Sequence, residues 1–255
     1  MTPILVIARN TFRETLRDRI LYNLLFFALL MIGSAVLLGS LTIGEQARII
    51  RDIGLAGING FGVLIAIFVG IGLVSKEIDK RTIYSILAKP IPRYHFILGK
   101  YGGLALTLFV NTAIMAGGFF VTLWVGRVGL DPALVTAIGL IFVELLVITA
   151  VAVMFSTFTT PTLSAGFTLA TYVIGHLTDD LRTLGAKLHN EVTKGLLDGL
   201  YYVLPNLDYF NVKGQVAHGI AVEPSYVFSA VAYGALYSAA VLALACAIFQ
   251  RREFK

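Results

Sequence analysis

One ionisable side chain, Glu144, stands well inside an otherwise uncharged apolar run, "LIFVELLVIT". A charge at mid-bilayer costs roughly 2.5–3.5 kcal/mol on insertion scales, so such a residue is expected to face a protein interior or a water path rather than lipid. Two roles suit it: a pathway or gating group, or a protonated or hydrogen-bonded glutamate that holds helices together, with Thr149 and Asn111 as partners within reach. A second polar group contains His176, Asp179 and Asp180, with His189 and Glu191 beyond. Its spacing matches no compact ligand motif, so an exposed polar loop is expected there and no metal site. Gly99-Lys100 is the nearest approach to a phosphate loop, but that motif would need Gly in place of Tyr94 and Ser or Thr in place of Tyr101. No buried Ser/His pair, Asp/Asp pair or H-E-x-x-H run is present, so the chain is not expected to be an enzyme. Cys246 is the single cysteine and excludes an intrachain disulfide.

The elements that must position these groups are apolar. Of 255 residues, 57% are hydrophobic and 14% charged, and the mean hydropathy is +0.83, against about 45–50% apolar and about 25% charged in soluble domains. Uncharged stretches at residues 20–44, 53–75, 101–126 and 225–250 each exceed the roughly 20 apolar residues that cross a hydrocarbon core. The reading is an all-α polytopic membrane protein with six transmembrane helices, at residues 20–41, 53–74, 101–125, 133–155, 163–177 and 226–249. Residues 1–19 form an amphipathic helix, with Leu5, Ala8, Phe12 and Leu16 on one stripe and Arg9, Arg13 and Arg17 on its neighbour, suited to the headgroup layer. The apolar run that follows is too long for the roughly 7–15 residues of a signal-peptide core. Small residues repeat every four at Gly62, Ala66 and Gly70 and at Ala230, Gly234 and Ser238; they mark faces of close helix approach, inside the subunit by default or at a dimer seam. Tyr201, Tyr202, Tyr209 and Trp124 read as interfacial aromatics rather than a ligand cage.

Charge sets the orientation. Of the 20 Lys and Arg residues, the N-terminal segment, the loop between the second and third spans, and the tail carry most. Under the positive-inside rule both termini are cytoplasmic, residues 76–100 form a cytoplasmic loop and residues 178–224 an extracytoplasmic one, in a plasma (inner) membrane. The net charge of +5 is therefore loop charge facing membrane lipids, and no nucleic-acid partner is expected. The cytoplasmic loop, "SKEIDKRTIYSILAKPIPRYHFILGKYGG", is patterned: Lys76, Glu77, Asp79, Lys80 and Arg81 crowd its start, Ile78, Ile83, Ile86 and Leu87 form an apolar stripe, and Pro90-Ile91-Pro92 breaks the helix. It suits docking to another protein, or anchoring to anionic lipid.

The charged start at Lys76-Glu77, then "RTIYSILAKPIPR", then "LGK" opening the next span, resembles the permease subunits of ABC-2-type transporters. The amphipathic N-terminal helix, the six-span layout and the large outward excursion before the last span match too, so the resemblance covers essentially the whole chain. It implies a half-transporter, a homodimer or paired permease, each copy docking one cytoplasmic ABC ATPase. Contact would run through a coupling helix carrying Lys76, Glu77, Lys80, Arg81, Ile83, Ile86 and Leu87. It implies also that ATP and Mg bind the partner and no cofactor binds this chain. Substrate movement is expected to be outward. The competing class is a stand-alone secondary transporter or channel, disfavoured because no inverted repeat is evident between the two halves.

Overall fold

The computed structural model describes residues 2–42, 44–79, 92–178, 183, 195, 199, 201 and 203–251, without the side chains of residues 72–79. The described residues form eight α-helices and no strand. They are α1 (Pro3–Thr15), α2 (Arg19–Ser40), α3 (Gln46–Asp79), α4 (Arg93–Val125), α5 (Pro132–Ser156), α6 (Pro161–His176), α7 (Lys213–Ala217) and α8 (Pro224–Arg251), with a 3-10 turn at Leu207–Phe210 before α7. Five of them (α2, α3, α4, α5 and α8) are long and apolar enough to cross a membrane. The chain is a polytopic membrane protein built from helices.

Local signals explain the helix starts. The Asp18 carboxylate accepts from the Ile20 amide at 3.0 Å and that of Asp131 from the Ala133 amide at 2.9 Å, capping α2 and α5. Pro132 and Pro161 open α5 and α6, where a missing N–H costs nothing. The helices alternate in direction. One end of the bundle, here the terminal face, carries α1, the start of α2, the end of α3, the start of α4 and the end of α8. The opposite far face carries the ends of α2 and α4 and the starts of α3, α5 and α8.

Glycines set three of the helix contacts. On α4, a Cβ at Gly99 would lie 2.7 Å from Ile7 Cβ, and one at Gly103 would lie 2.5 Å from Thr11 Cβ and 2.6 Å from the Ala8 carbonyl. This Gly-x-x-x-Gly groove seats α1, whose Thr11 and Thr15 are buried in it. The two small-residue stripes pack inside the subunit. A Cβ at Gly62 would lie 2.7 Å from Leu145 and one at Gly70 would lie 3.2 Å from Ala152, so the first stripe joins α3 to α5. A Cβ at Gly234 would lie 2.5 Å from Val143, so the second stripe joins α8 to α5.

α6 corresponds to the span expected at residues 163–177, and it is short: 16 residues, about 24 Å at 1.5 Å per residue. Its partner α5 has 25 residues, about 37 Å, so α6 ends well below the far face. Residues 203–217 occupy the space this leaves. Leu207, Phe210, Val212 and Val216 are buried, and the Pro205 carbonyl and Leu207 press on Gly175, where a Cβ would meet each at 2.8 Å. Pro205, Asn206 and Leu207 of this non-helical stretch are buried against protein, while Val203 and Tyr209 are exposed. Three tyrosines of α8 hold the segment. The hydroxyl of Tyr226 donates to the Tyr209 carbonyl at 3.0 Å, that of Tyr233 accepts from the Asn206 amide at 2.9 Å, and that of Tyr237 donates to the Val203 carbonyl at 3.0 Å. These contacts extend over about 16 Å of helix. The stretch read as an extracytoplasmic loop thus includes a part that reaches down between α5, α6 and α8.

Candidate functional site

Glu144 is completely buried and lies about 18 Å along α5 from the far-face end at Pro132. Asn59 lies about 20 Å along α3 from Gln46, which brings the two side chains to one level. Asn59 Nδ2 donates to Glu144 Oε2 at 2.8 Å, and the Tyr172 hydroxyl donates to Asn59 Oδ1 at 2.8 Å. His176, the last residue of α6, closes the figure: its Nδ1 lies 3.1 Å from the Tyr172 carbonyl, and its Nε2 lies 3.4 Å from Glu144 Oε1. Four side chains from three helices therefore form a ring, with Tyr172 and His176 also in ring contact at 4.6 Å between centroids.

The ring dictates its own hydrogens. A carbonyl only accepts, so His176 Nδ1 carries a hydrogen, and Nε2 faces the carboxyl either bare or protonated. If the imidazole and the carboxylate were both bare, two lone pairs would oppose one another across 3.4 Å. One proton on either atom turns that contact into an attraction. Above the ring, Lys213 of α7 and Asp208 of the 3-10 turn add charge: burial pulls the Lys213 ammonium's pKa down, and the carboxyls of Glu144 and Asp208 push it back up. The arrangement can hold a proton and tie the short α6 to α3 and α5. Among the described residues no group of three or more His, Cys, Asp or Glu could hold a metal ion.

A second set of polar contacts lies at the terminal face. Lys100 of α4 is buried, with Nζ 3.6 Å from Glu14 Oε2 of α1 and 5.7 Å from the Phe96 ring centroid. Arg93, the first residue of α4, donates from Nη1 to the carbonyls of Phe249 and Gln250 at 3.3 and 3.1 Å. A cation placed on the C-terminal carbonyls of α8 suits the helix dipole, and the rings of Phe96 and Phe249 stack beside it at 5.6 Å.

These positions compare directly with the sequence reading. Thr149 and Asn111, considered as partners of Glu144, donate instead to the carbonyls of Leu145 and Thr107 on their own helices. His176 turns inward to Glu144 rather than outward, while Asp179, Asp180, His189 and Glu191 lie outside the described residues. Lys76 and Glu77 fall on the last turns of α3, with only their backbone described; Lys80, Arg81, Ile83, Ile86 and Leu87 lie outside the described residues. Sequence reasoning missed Asn59, Tyr172 and the Lys100–Glu14 pair. A signal existed for two of them: Asn59 is a lone amide in an apolar run, and Tyr172 precedes His176 by one helical turn.

The family described as ABC-2 family transporter protein matches the chain over residues 5–254. Comparison with curated proteins returns no match.

Proposed function

The chain belongs to the ABC-2 transporter family, and from that membership we propose that it is the permease subunit of an ATP-driven exporter whose ATPase is a separate cytoplasmic protein. Two copies of this subunit, or this subunit and a related one, pair to enclose the path. Each docks one ATPase, which binds the ATP and Mg that this chain has no motif to bind. The terminal face is cytoplasmic, in keeping with the excess of Lys and Arg there.

The observation that carries this reading is the family match across nearly the whole chain, and the form of α3 supports it. That helix has 34 residues, about 51 Å, far more than a hydrocarbon core about 30 Å thick requires. Its apolar part gives way to Lys76, Glu77 and Asp79 while the backbone stays helical to Asp79. The helix runs without a break into these charged positions at the terminal face, and α4 resumes at Arg93. A push on residues 76–88 would pass into α3 directly. Through Arg93 it would also pass into the end of α8.

The test is co-purification with a candidate ABC ATPase subunit co-expressed with this chain. Glu77→Arg together with Arg81→Glu should release the ATPase or uncouple its hydrolysis from transport by at least tenfold, with the permease still folded. An ATPase that stays bound and fully coupled would sink the reading. So would transport by the purified permease driven by an ion gradient alone.

A further inference from the structure

Between α8 and the stretch formed by Tyr201 and residues 203–209 lies a cavity of about 490 Å³ whose lining includes Tyr201, Asn206, Tyr209, Ser229, Tyr233 and Tyr237. That volume falls among small-molecule sites, which run from about 300 to 1,000 Å³. We propose that this cavity binds a lipophilic organic cation through its tyrosine rings; naming it as part of the substrate path rests on the exporter reading above.

The charge of the described lining bears on the ligand. The Tyr237 hydroxyl hydrogen goes to the Val203 carbonyl and the Ser229 hydroxyl hydrogen to the Tyr226 carbonyl. The Tyr233 hydroxyl accepts from the Asn206 amide and keeps its own hydrogen to donate. An anion is held most strongly by charged donors, and the described lining contains no Lys, Arg or His. The described lining also contains no carboxylate, so among these residues a small hydrated metal cation finds no ligand set.

Aromatic surface remains. The rings of Tyr209 and Tyr233 lie 5.3 Å apart and those of Tyr233 and Tyr237 lie 6.0 Å apart, between centroids, making a continuous run along one side of the cavity. Ring faces carry the negative part of the aromatic quadrupole and attract a desolvated cation. The placement fits a ligand arriving through the bilayer. Ser229, Tyr233 and Tyr237 share the face of α8 beside the packed stripe of Ala230, Gly234 and Ser238, and next to it Phe228 and Leu236 are exposed at 78% and 73%. Tyr201 and Tyr209, read from sequence as interfacial anchors, are assigned a second role as part of a binding wall with Tyr233 and Tyr237.

Tetraphenylphosphonium and tetraphenylborate are a cation and an anion of nearly equal shape. Binding to the full-length protein in dodecyl maltoside is measured by equilibrium dialysis, with empty micelles subtracted. The phosphonium should bind saturably and the borate should neither bind saturably nor compete. Tyr209→Leu and Tyr237→Leu should each weaken binding by about tenfold, the loss of a cation–ring contact, whereas Tyr237→Phe should stay within about twofold because it keeps the ring. Tyr209 is 44% exposed, so its loss leaves the core intact and a lowered affinity there is not unfolding. No saturable binding, equal affinity for the borate, or unchanged affinity in both leucine variants would overturn the proposal. The ATPase docks at the other end of the molecule. If the Glu77 test succeeds and phosphonium binding fails, only this site falls; saturable binding with no ATPase contact would keep the site and remove the exporter reading.

Discussion

Lys100 and Glu144 are both buried ionisable groups in apolar helices, and the structure treats them in opposite ways. Lys100 sits near the terminal face, two turns into α4, opposite a carboxylate: Glu14, whose side chain is 42% exposed while that of Lys100 is 2% exposed. Glu144 sits at the centre of the bundle and meets an amide, an imidazole and, through the amide, a phenol. Near water, one partner can stay partly solvated and charge is met with charge. At the centre a full ion pair would require desolvating two charges, a penalty that the mutual attraction often fails to repay. Neutral donors and a single shared proton avoid it. Position along the helix thus decides which kind of partner a buried charge is given.

The contrast can be broken from each side by following the exposure of Cys246, the single cysteine, with a thiol-reactive dye during thermal unfolding in detergent. The largest effect is expected for Glu14→Ala, which takes the carboxylate from a buried ammonium and should cost about 3 kcal/mol. Its reciprocal, Lys100→Met, leaves Glu14 able to reach water and should cost under about 1 kcal/mol. Equal losses from the two would mean that the pair is not asymmetric as described. Glu144→Leu comes next. It leaves Asn59 Nδ2 without its acceptor in a buried site and should cost about 1–3 kcal/mol; a variant as stable as the parent would show that the ring contributes no net stability. Tyr172→Phe removes one interhelical hydrogen bond and should cost about 0.6 kcal/mol, with about 1.7 kcal/mol as the ceiling for such bonds in a membrane protein. A loss beyond that ceiling would mean that the phenol does more than support Asn59.

Much of the fold was legible because membrane solvation is a strong constraint: a long uncharged run has few alternatives to a spanning helix. The α2, α3, α4 and α8 runs were of this kind, and Asp18, Asp131, Pro132 and Pro161 marked helix starts in the ordinary way. The site was less legible. Glu144 was conspicuous because a lone acid in apolar surroundings is costly, but its partners lie 85 residues upstream, at Asn59, and on α6 at His176. Spacing along one helix pointed to Thr149, which bonds its own backbone instead. Gly99 falls in the loop expected at residues 76–100 and Gly103 in the span expected at 101–125, and their groove for α1 shows only when the two helices are placed together.

The sequence by itself determined that the chain is a helical membrane protein, that Glu144 had to find protein or water, and that residues 76–88 are built differently from an ordinary linker. Those conclusions follow from composition, period and charge, which act locally and against a uniform solvent. Tertiary structure alone decided who meets Glu144, that α6 ends part-way along α5, that residues 203–217 fill the space above it, and that four tyrosines line one cavity. Each of these depends on the relative depth and rotation of helices far apart in the chain. That information is set by packing at contacts such as Gly62 on Leu145 and Gly234 on Val143, and no single segment carries it.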